Sequence, residues 1–259
     1  MNWFEALVLG LLQGLTEFMP VSSSGHLEIA KALFGVDPEA SFYFTIAVHG
    51  ATVLSTIFVF WKEILSLIEG TLKLKMNEET SYLIKIIISM IPVGIAGVLL
   101  KDPIEKLFNG NLIFMGLMLL VTSAILAASH FIRKGDKKIG YLDAFIIGLA
   151  QAVAVIPGIS RSGATIATGL MIGNRKDEIA KFSFLMVLVP VIGANVLELS
   201  SDNINTASIG AGIILIGFIS AFISGFLACK WMIGLVKKSK LIWFSIYCAA
   251  AGLLSVLLG

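Results

Sequence analysis

The amino-acid sequence predicts an all-α polytopic membrane protein with two inverted-topology repeats, each a re-entrant helix hairpin followed by three transmembrane helices. Three observations support this prediction: an apolar composition, apolar runs of membrane-spanning length, and two apolar regions interrupted by similar Ser/Gly/Pro motifs. Of the 259 residues, 57% are hydrophobic and 14% charged, and the mean hydropathy is +0.94. Soluble domains carry about 25% charged residues, so this chain could not cover its surface in water.

The charge pattern argues against nucleic acid as a partner. The net charge is +2, and no basic stripe interleaved with aromatic residues runs along the sequence. Cys229 and Cys248 each lie in an apolar run without metal-ligand spacing, which is typical of small packing residues. The candidate chemistry therefore lies in the polar interruptions of the apolar sequence.

Six apolar stretches have about the 20 residues that a helix needs to cross the hydrocarbon core. They cover residues 41–61, 82–100, 112–132, 179–199, 209–231 and 241–258. Two further apolar regions, residues 3–34 and 141–172, are interrupted by Pro20 and Pro157, each near a Ser/Gly-rich segment. Their halves, at roughly 15 residues, are too short to span, and irregular backbone at membrane depth must be buried in protein or line a wet cavity. Both regions are therefore predicted to be re-entrant hairpins.

The loop cations predict the orientation, because Lys and Arg accumulate in cytoplasmic loops. Four loops contain twelve cations: Lys62, Lys73 and Lys75; Arg133, Lys134, Lys137 and Lys138; Arg175 and Lys176; Lys237, Lys238 and Lys240. The opposite side keeps only Lys31, Lys101 and Lys106. All four loops are cytoplasmic at once only if the first hairpin enters from outside and the second from inside.

The two hairpins are also related in sequence, at an offset of 138 residues with a one-residue slip at the prolines. The matched pairs include Glu5 and Asp143, Gly10 and Gly148, Gln13 and Gln151, Ser22 and Ser160, Ser24 and Ser162, and Gly25 and Gly163. We therefore predict one membrane domain, residues 1–259, with repeats at about 1–132 and 133–259. Inverted repeats with broken helices place their site near the bilayer midplane, at the repeat interface.

Ionisable residues in the two hairpins mark the candidate site, because such residues are costly in a membrane and usually functional. Gln13 and Glu17 are four residues apart and share a helix face. The simplest structural alternative is that Glu17 and Arg161 form an ion pair that joins the hairpins, a role that is compatible with catalysis.

The residue types favour a phosphate or diphosphate ligand. The Ser/Gly segment of each hairpin opens a half-helix, whose backbone N–H groups attract anions, and Arg161 adds a planar fork suited to phosphate. Glu17, with help from Gln13, could hold Mg²⁺ or Ca²⁺ through oxygen ligands. His26 is a candidate general acid–base or nucleophile. Ser23 is the candidate nucleophile if His26 activates it, and a water molecule is the alternative.

The chain resembles the undecaprenyl-diphosphate phosphatase family of bacterial bacitracin-resistance membrane enzymes over essentially its whole length. The resemblance rests on Gln13 to Glu17 followed by Pro-Val-Ser-Ser-Ser-Gly-His at 20–26, and on Pro-Gly-Ile-Ser-Arg-Ser-Gly-Ala-Thr at 157–165. It implies removal of the terminal phosphate of a C55 isoprenyl diphosphate carrier, divalent-metal dependence and a pocket open to the outer face. Many relatives carry Glu where this chain has Gln13. The chain therefore departs from the family pattern at a candidate metal ligand.

The resemblance and the residue chemistry together predict the site. We expect catalysis from Glu17, Ser23, His26 and Arg161, and substrate binding from Ser22, Ser24, Gly25, Ser160, Ser162, Gly163 and Thr165. The expected setting is the bacterial plasma (inner) membrane, where the enzyme would recycle the lipid carrier for cell-wall synthesis and confer bacitracin resistance. Membrane lipids are expected partners, and the oligomeric state stays open, with a homodimer as one alternative.

Two other function classes compete with this one. A transporter or flippase of a phosphorylated polyprenyl lipid would share inverted repeats and anion-binding tips, but would not need Glu17 with His26 for hydrolysis. A second class of membrane phosphatases carries the motifs Lys-x6-Arg-Pro, Ser-Gly-His and Ser-Arg-x5-His. This class is disfavoured because no His follows His130 and none of the three arginines precedes a proline. His49 and His130 are interpreted as structural residues.

Overall fold

The computed structural model describes residues 1–36, 41–100, 107, 111–132, 135–200, 209–238 and 240–258, with backbone alone at 198–200. Lys101, Lys106, Arg133 and Lys134, which the orientation prediction used, lie outside these residues. The described chain forms eleven helices: α1 Trp3–Phe18, α2 Ser23–Phe34, α3 Phe42–Val59, α4 Trp61–Leu72, α5 Glu78–Leu99, α6 Leu112–Phe131, α7 Tyr141–Val153, α8 Arg161–Met171, α9 Lys176–Ser200, α10 Ala211–Lys237 and α11 Ile242–Leu258.

The six predicted spans all coincide with helices. Five of them, α3, α5, α6, α9 and α10, are long and apolar enough to cross a membrane. The sixth, α11, has 17 residues, which is at the short end of the spanning range. The protein is therefore an all-helical polytopic membrane protein, as its composition indicates.

The two interrupted regions form the helix pairs α1–α2 and α7–α8, and both pairs begin in the same way. The Glu5 carboxylate accepts a hydrogen bond from the backbone N–H of Asn2 at 2.9 Å. The Asp143 carboxylate accepts one from the N–H of Gly140 at 2.9 Å. An acidic residue in the first turn satisfies free N–H groups and complements the helix dipole. The sequence match between Glu5 and Asp143 is thus also a structural match.

Small residues bring α1 against α10. Gly10 lies against Gly217, and Gly14 lies against Ala221. Close backbone approach at small residues is the usual way that membrane helices pack. Because the residue numbers rise together on both helices, α1 and α10 run in parallel.

The helices α5 and α7 pack in the same manner. The hydroxyls of Ser81 and Tyr141 lie 3.0 Å apart, and Gly148 lies against the backbone of Ser89. The numbers again rise together, so α5 and α7 are also parallel.

The last spans of the two halves, α6 and α11, run antiparallel. The Ser123 hydroxyl donates to the Ser245 carbonyl at 2.7 Å, and the Ser245 hydroxyl donates to the Ser123 carbonyl at 2.8 Å. Gly116 lies against Gly252, so residue numbers fall on one helix as they rise on the other.

Residues 61–72 form α4, although the sequence analysis treated them as part of a loop because of the nearby lysines. Trp61, Leu65, Ile68 and Leu72 are exposed along one face, at the i, i+4, i+7, i+11 spacing of an amphipathic helix. The opposite face, with Leu67, packs on the main core.

Candidate active site

The connection and first helical turn of each hairpin are called the first tip (residues 19–26) and the second tip (residues 154–163). In the first tip the Ser22 hydroxyl accepts from the N–H of Gly25 at 3.3 Å. In the second, the Ser160 hydroxyl accepts from the N–H of Gly163 at 3.0 Å. Serine is a preferred N-cap because its hydroxyl satisfies a free N–H of the first turn. The two Ser-x-x-Gly segments therefore cap α2 and α8 with the same hydrogen bond.

The structure brings the two tips into contact. The Ser162 hydroxyl donates to the Met19 carbonyl at 3.1 Å, and Gly25 lies against Gly158. Thr122 of α6 fixes the second tip, because its hydroxyl donates to the Gly158 carbonyl at 3.2 Å and accepts from the Ser160 N–H at 3.1 Å.

The Glu17 carboxylate joins both tips to α1. Its Oε1 accepts from Arg161 Nη2 at 3.0 Å, and its Oε2 accepts from Ser23 Oγ at 2.6 Å and from Gln13 Nε2 at 2.9 Å. The Glu17 and Arg161 side chains are only 10% and 28% exposed. A charge in such a position must be paired and hydrogen-bonded to offset its desolvation. The ion pair expected from the sequence is therefore present, and it includes the candidate nucleophile.

A cavity of about 30 Å³ opens beside this ion pair. Glu17, Arg161 and Ser162 supply its charged and polar wall, and the rest comes from α1, α3 and α9: Phe18, Thr52, Val53, Thr56, Phe184, Val187, Leu188 and Val191. This volume suits one or two water molecules. Charged and apolar side chains thus line the same small cavity.

Both ring nitrogens of His26 have hydrogen-bond partners other than Ser23. Its Nδ1 lies 2.9 Å from the Ser22 carbonyl oxygen, and its Nε2 lies 2.8 Å from the Tyr247 hydroxyl. Ser23 donates to Glu17 instead. The sequence predicts catalytic roles for both His26 and Glu17 and offers His26 as a group that could activate Ser23; in the structure the Ser23 hydroxyl contacts Glu17.

The other predicted binding residues divide into two groups. Two pairs of hydroxyls, Ser22 with Ser24 and Ser160 with Ser162, lie 3.3 Å apart and line equivalent turns. Thr165 is fully buried, and its hydroxyl donates to the Arg161 carbonyl at 2.9 Å. Thr165 therefore supports α8 and does not point into the cavity.

Sequence reasoning missed two side chains near the site. Tyr247 is a lone polar ring in an apolar run, and only the fold brings it to His26. His49 lies within electrostatic range of both Glu17 and Arg161. Its place in the middle of a span was the one available signal, since intramembrane ionisable residues are usually functional.

The residues beside Glu17 fit a hard divalent cation. Gln13 is fully buried, and its Oε1 has no hydrogen-bond partner among the described residues. A buried, unpaired carbonyl oxygen beside a carboxylate is a suitable ligand for Mg²⁺ or Ca²⁺. No group of three or more His, Cys, Asp or Glu side chains forms a metal site in the described part of the chain. Such a cation would therefore need water or ligand oxygens as well.

Comparison with known proteins identifies the family. The family profile described as "Bacitracin resistance protein BacA" matches residues 6–254. A Parabacteroides distasonis protein named undecaprenyl-diphosphatase is 54% identical over 260 residues, which cover 99% of this chain and 98% of the relative. Proteins of that name from Bacteroides thetaiotaomicron and Methanosphaera stadtmanae are 54% and 38% identical, each over 98% of this chain and 97% of the relative. The chain therefore belongs to the bacitracin resistance protein BacA family.

Proposed function

We propose that this protein hydrolyses undecaprenyl diphosphate to undecaprenyl phosphate and inorganic phosphate, which recycles the lipid carrier for cell-wall synthesis and confers bacitracin resistance. The name of its relatives, undecaprenyl-diphosphatase, supports the substrate and reaction. The observation that carries the proposal is Glu17, which accepts from Ser23 in the first tip and from Arg161 in the second. A nucleophile, its base and an anion-binding group are thus connected through one carboxylate.

The proposed reaction proceeds by displacement at the terminal phosphorus. Arg161 and the N-termini of α2 and α8 bind and neutralise the diphosphate, which is the main task of a protein in phosphoryl transfer. Ser23 Oγ attacks the terminal phosphorus as its proton passes to Glu17 Oε2, and the bond to the bridging oxygen breaks to release undecaprenyl phosphate. Water then attacks the phosphorus of the phosphoserine, and the bond between phosphorus and Ser23 Oγ breaks. Inorganic phosphate leaves with the protons of that water, and Glu17 returns its proton to Ser23 Oγ. In the alternative form of this step, a water molecule replaces Ser23 as the nucleophile.

Glu17 and the Oε1 of Gln13 would hold a divalent cation, Mg²⁺ or Ca²⁺, next to the diphosphate. The support for this site is the unpaired, buried Oε1 of Gln13. Such a cation would neutralise charge on the phosphate oxygens. Gln13 also donates to Glu17 through Nε2, so its amide orients the carboxylate whether or not a cation is bound.

We also infer that the chain consists of two inverted repeats with re-entrant hairpins. The packing supports this symmetry. The first hairpin helix of each half, α1 or α7, lies parallel to the second long span of the other half, α10 or α5, and the third spans α6 and α11 are antiparallel. An in-plane two-fold axis relates equivalent helices in this manner.

The helix directions support the predicted orientation. Helix α10 ends next to Lys237 and Lys238, so the positive-inside rule places this end in the cytoplasm. Since α1 runs parallel to α10, α1 enters from outside. The resulting proposal is a bacterial inner-membrane enzyme with its site toward the outer face. A homodimer stays an untested prediction.

The decisive experiment measures phosphate release from a C55 isoprenyl diphosphate by purified protein in detergent, with and without EDTA. We compare wild type with Glu17→Ala and Arg161→Ala, and expect metal-dependent release that is lost in both variants. Glu63→Ala and Arg175→Ala are matched controls, because both residues form partly exposed ion pairs away from the tips. Folded wild type that releases no phosphate with several metals and detergents would contradict the proposal and favour lipid transport.

A further inference from the structure

The rings of His26 and Tyr247 form a contact between the first hairpin and the last helix, α11. They are stacked, with centroids 5.5 Å apart and planes at 15°, and Nε2 of His26 lies 2.8 Å from the Tyr247 hydroxyl. The other ring nitrogen, Nδ1, lies 2.9 Å from the Ser22 carbonyl oxygen. His26 is 9% exposed, so both nitrogens are committed to these partners.

These partners determine the protonation of the imidazole. A carbonyl oxygen only accepts hydrogen bonds, so Nδ1 carries the proton. In the neutral ring Nε2 is then the acceptor, and the Tyr247 hydroxyl donates to it. The Ser22 carbonyl therefore selects the Nδ1–H tautomer of His26, and the Tyr247 hydroxyl stabilises it by donating to Nε2.

This tautomer matters because of the backbone of Ser22. Its φ is +68°, a left-handed conformation that non-glycine residues adopt with strain and that persists only where the surroundings impose it. The Ser22 carbonyl receives two N–H groups, the backbone N–H of His26 at 3.2 Å and the Nδ1–H of the same residue. The imidazole thus helps to maintain the conformation of Ser22.

The conformation of Ser22 in turn determines where Ser23 lies. Ser23 directly follows the left-handed residue, and its hydroxyl donates to Glu17 at 2.6 Å. Helix α11 also contacts this turn through Cys248, whose Sγ lies 3.6 Å from the Pro20 carbonyl oxygen. Two neighbouring residues of α11 therefore hold the first tip at both ends of its turn.

We propose that Tyr247 is a positioning residue for the reaction. Its hydroxyl donates to Nε2 and holds the His26 ring in place, the Nδ1–H of His26 supports the left-handed Ser22, and Ser22 places the Ser23 hydroxyl on Glu17. This inference rests on the proposed phosphatase function. It assigns to the second half of the chain a role in the first tip that no sequence motif indicates.

The first test is a ¹⁵N spectrum of the wild-type protein in detergent with labelled histidine, in alkaline buffer where histidine side chains are neutral. The protein has three histidines, so single His49→Gln and His130→Gln variants assign the signals. We expect His26 with a protonated Nδ1 and an unprotonated, hydrogen-bonded Nε2. A protonated Nε2 in the wild type would overturn the proposal without any Tyr247 variant.

The second test is Tyr247→Phe, which keeps the stacked ring and removes only the donor. We expect the ¹⁵N shift of His26 Nε2 to report the loss of its hydrogen bond, and kcat to fall about tenfold with KM within twofold of wild type as Ser23 loses its fixed position. Tyr141→Phe is the matched control, since its hydroxyl bonds Ser81 on the surface; it should change neither quantity. A wild-type Nε2 shift and a wild-type kcat in Tyr247→Phe would refute the positioning role.

The two tests separate this inference from the proposed function. The tautomer is read without substrate, so an inactive wild type that shows the Nδ1–H tautomer would contradict the phosphatase activity and leave the His26–Tyr247 contact supported. An active wild type with the opposite tautomer would contradict the inference alone.

Discussion

The two hairpin tips have similar serine caps but differ in the residue that adopts the left-handed turn. Both use a serine cap and a close pair of serine hydroxyls. In the second tip the left-handed residue is Gly158, with φ +91°, whereas in the first it is Ser22, with φ +68°. Glycine adopts this region at no steric cost, and serine does not.

The difference indicates a division of labour between the tips. The strained turn is in the tip that contains Ser23, the candidate nucleophile, and strain of this kind is concentrated at functional sites. The relaxed turn is in the tip that contains Arg161, whose proposed role is to bind an anion. We infer that the first tip was constrained for chemistry and the second for binding. Each prediction below tests one side of this comparison.

The largest effect is expected at Glu17, because the chemistry of the first tip depends on it. Glu17→Gln keeps the shape of the side chain and its contact with Gln13, but removes the base that accepts the Ser23 proton. We expect kcat to fall about 10²- to 10⁴-fold, the usual contribution of a general base. Phosphate-release kinetics measure this effect, with Glu63→Gln as the control. A kcat near that of wild type would contradict the role of Glu17 as base.

A smaller effect is expected from Arg161→Lys in the second tip. Lysine keeps the positive charge but lacks the planar fork that can contact Glu17 and a phosphate together. Loss of a charged hydrogen bond costs about 1.5–3 kcal/mol, so kcat/KM should fall about 10- to 100-fold. The fall should come mainly from a higher KM if the second tip binds the diphosphate. A fall confined to kcat would show that Arg161 acts in the transition state, and the division of labour would be incorrect.

The two left-handed residues should respond to substitution in opposite ways. Gly158→Ala places a side chain in a left-handed conformation and against Met118, so we expect a loss of about 1–3 kcal/mol in stability. Ser22→Gly relieves strain and removes only a cap, for which glycine is a fair substitute. Its stability should change little, whereas kcat should fall about 10- to 100-fold as Ser23 loses its fixed position.

Thermal unfolding in detergent and phosphate release distinguish these outcomes when both variants are measured side by side. If Ser22→Gly is fully active, the strain at Ser22 has no part in catalysis.

Much of the fold could be predicted because its signals are local. Span length follows from apolar runs, and the prolines at 20 and 157 mark the broken regions. Helix α4 was missed because its 12 residues are too short to span the membrane and lysines lie at its ends. The ion pair between Glu17 and Arg161 could be predicted because an intramembrane charge requires a partner.

The finer geometry of the site could not be predicted, because it depends on contacts between distant residues. The choice of Glu17 over His26 as the partner of Ser23 follows from the hydrogen bond of His26 to Tyr247, a residue 221 positions away. The left-handed turn at Ser22 has no sequence signature, since glycine is the residue usually found there.

The smallest effect is expected at Gln151, the counterpart of Gln13. Gln151 is 1% exposed, and neither of its amide atoms has a hydrogen-bond partner among the described residues. Gln13 donates a hydrogen bond to Glu17. The second half has Val155 at the position equivalent to Glu17, so Gln151 has no such partner there. Gln151→Leu removes an unsatisfied polar group, so stability should be unchanged or higher by up to about 1 kcal/mol, with phosphate release within twofold of wild type.

Gln13→Leu should instead lower activity and weaken metal dependence, because it removes a contact to Glu17 and a candidate ligand. Equal losses of activity in both variants would mean that the second half also uses its glutamine, and that the two tips are more alike than their turns indicate.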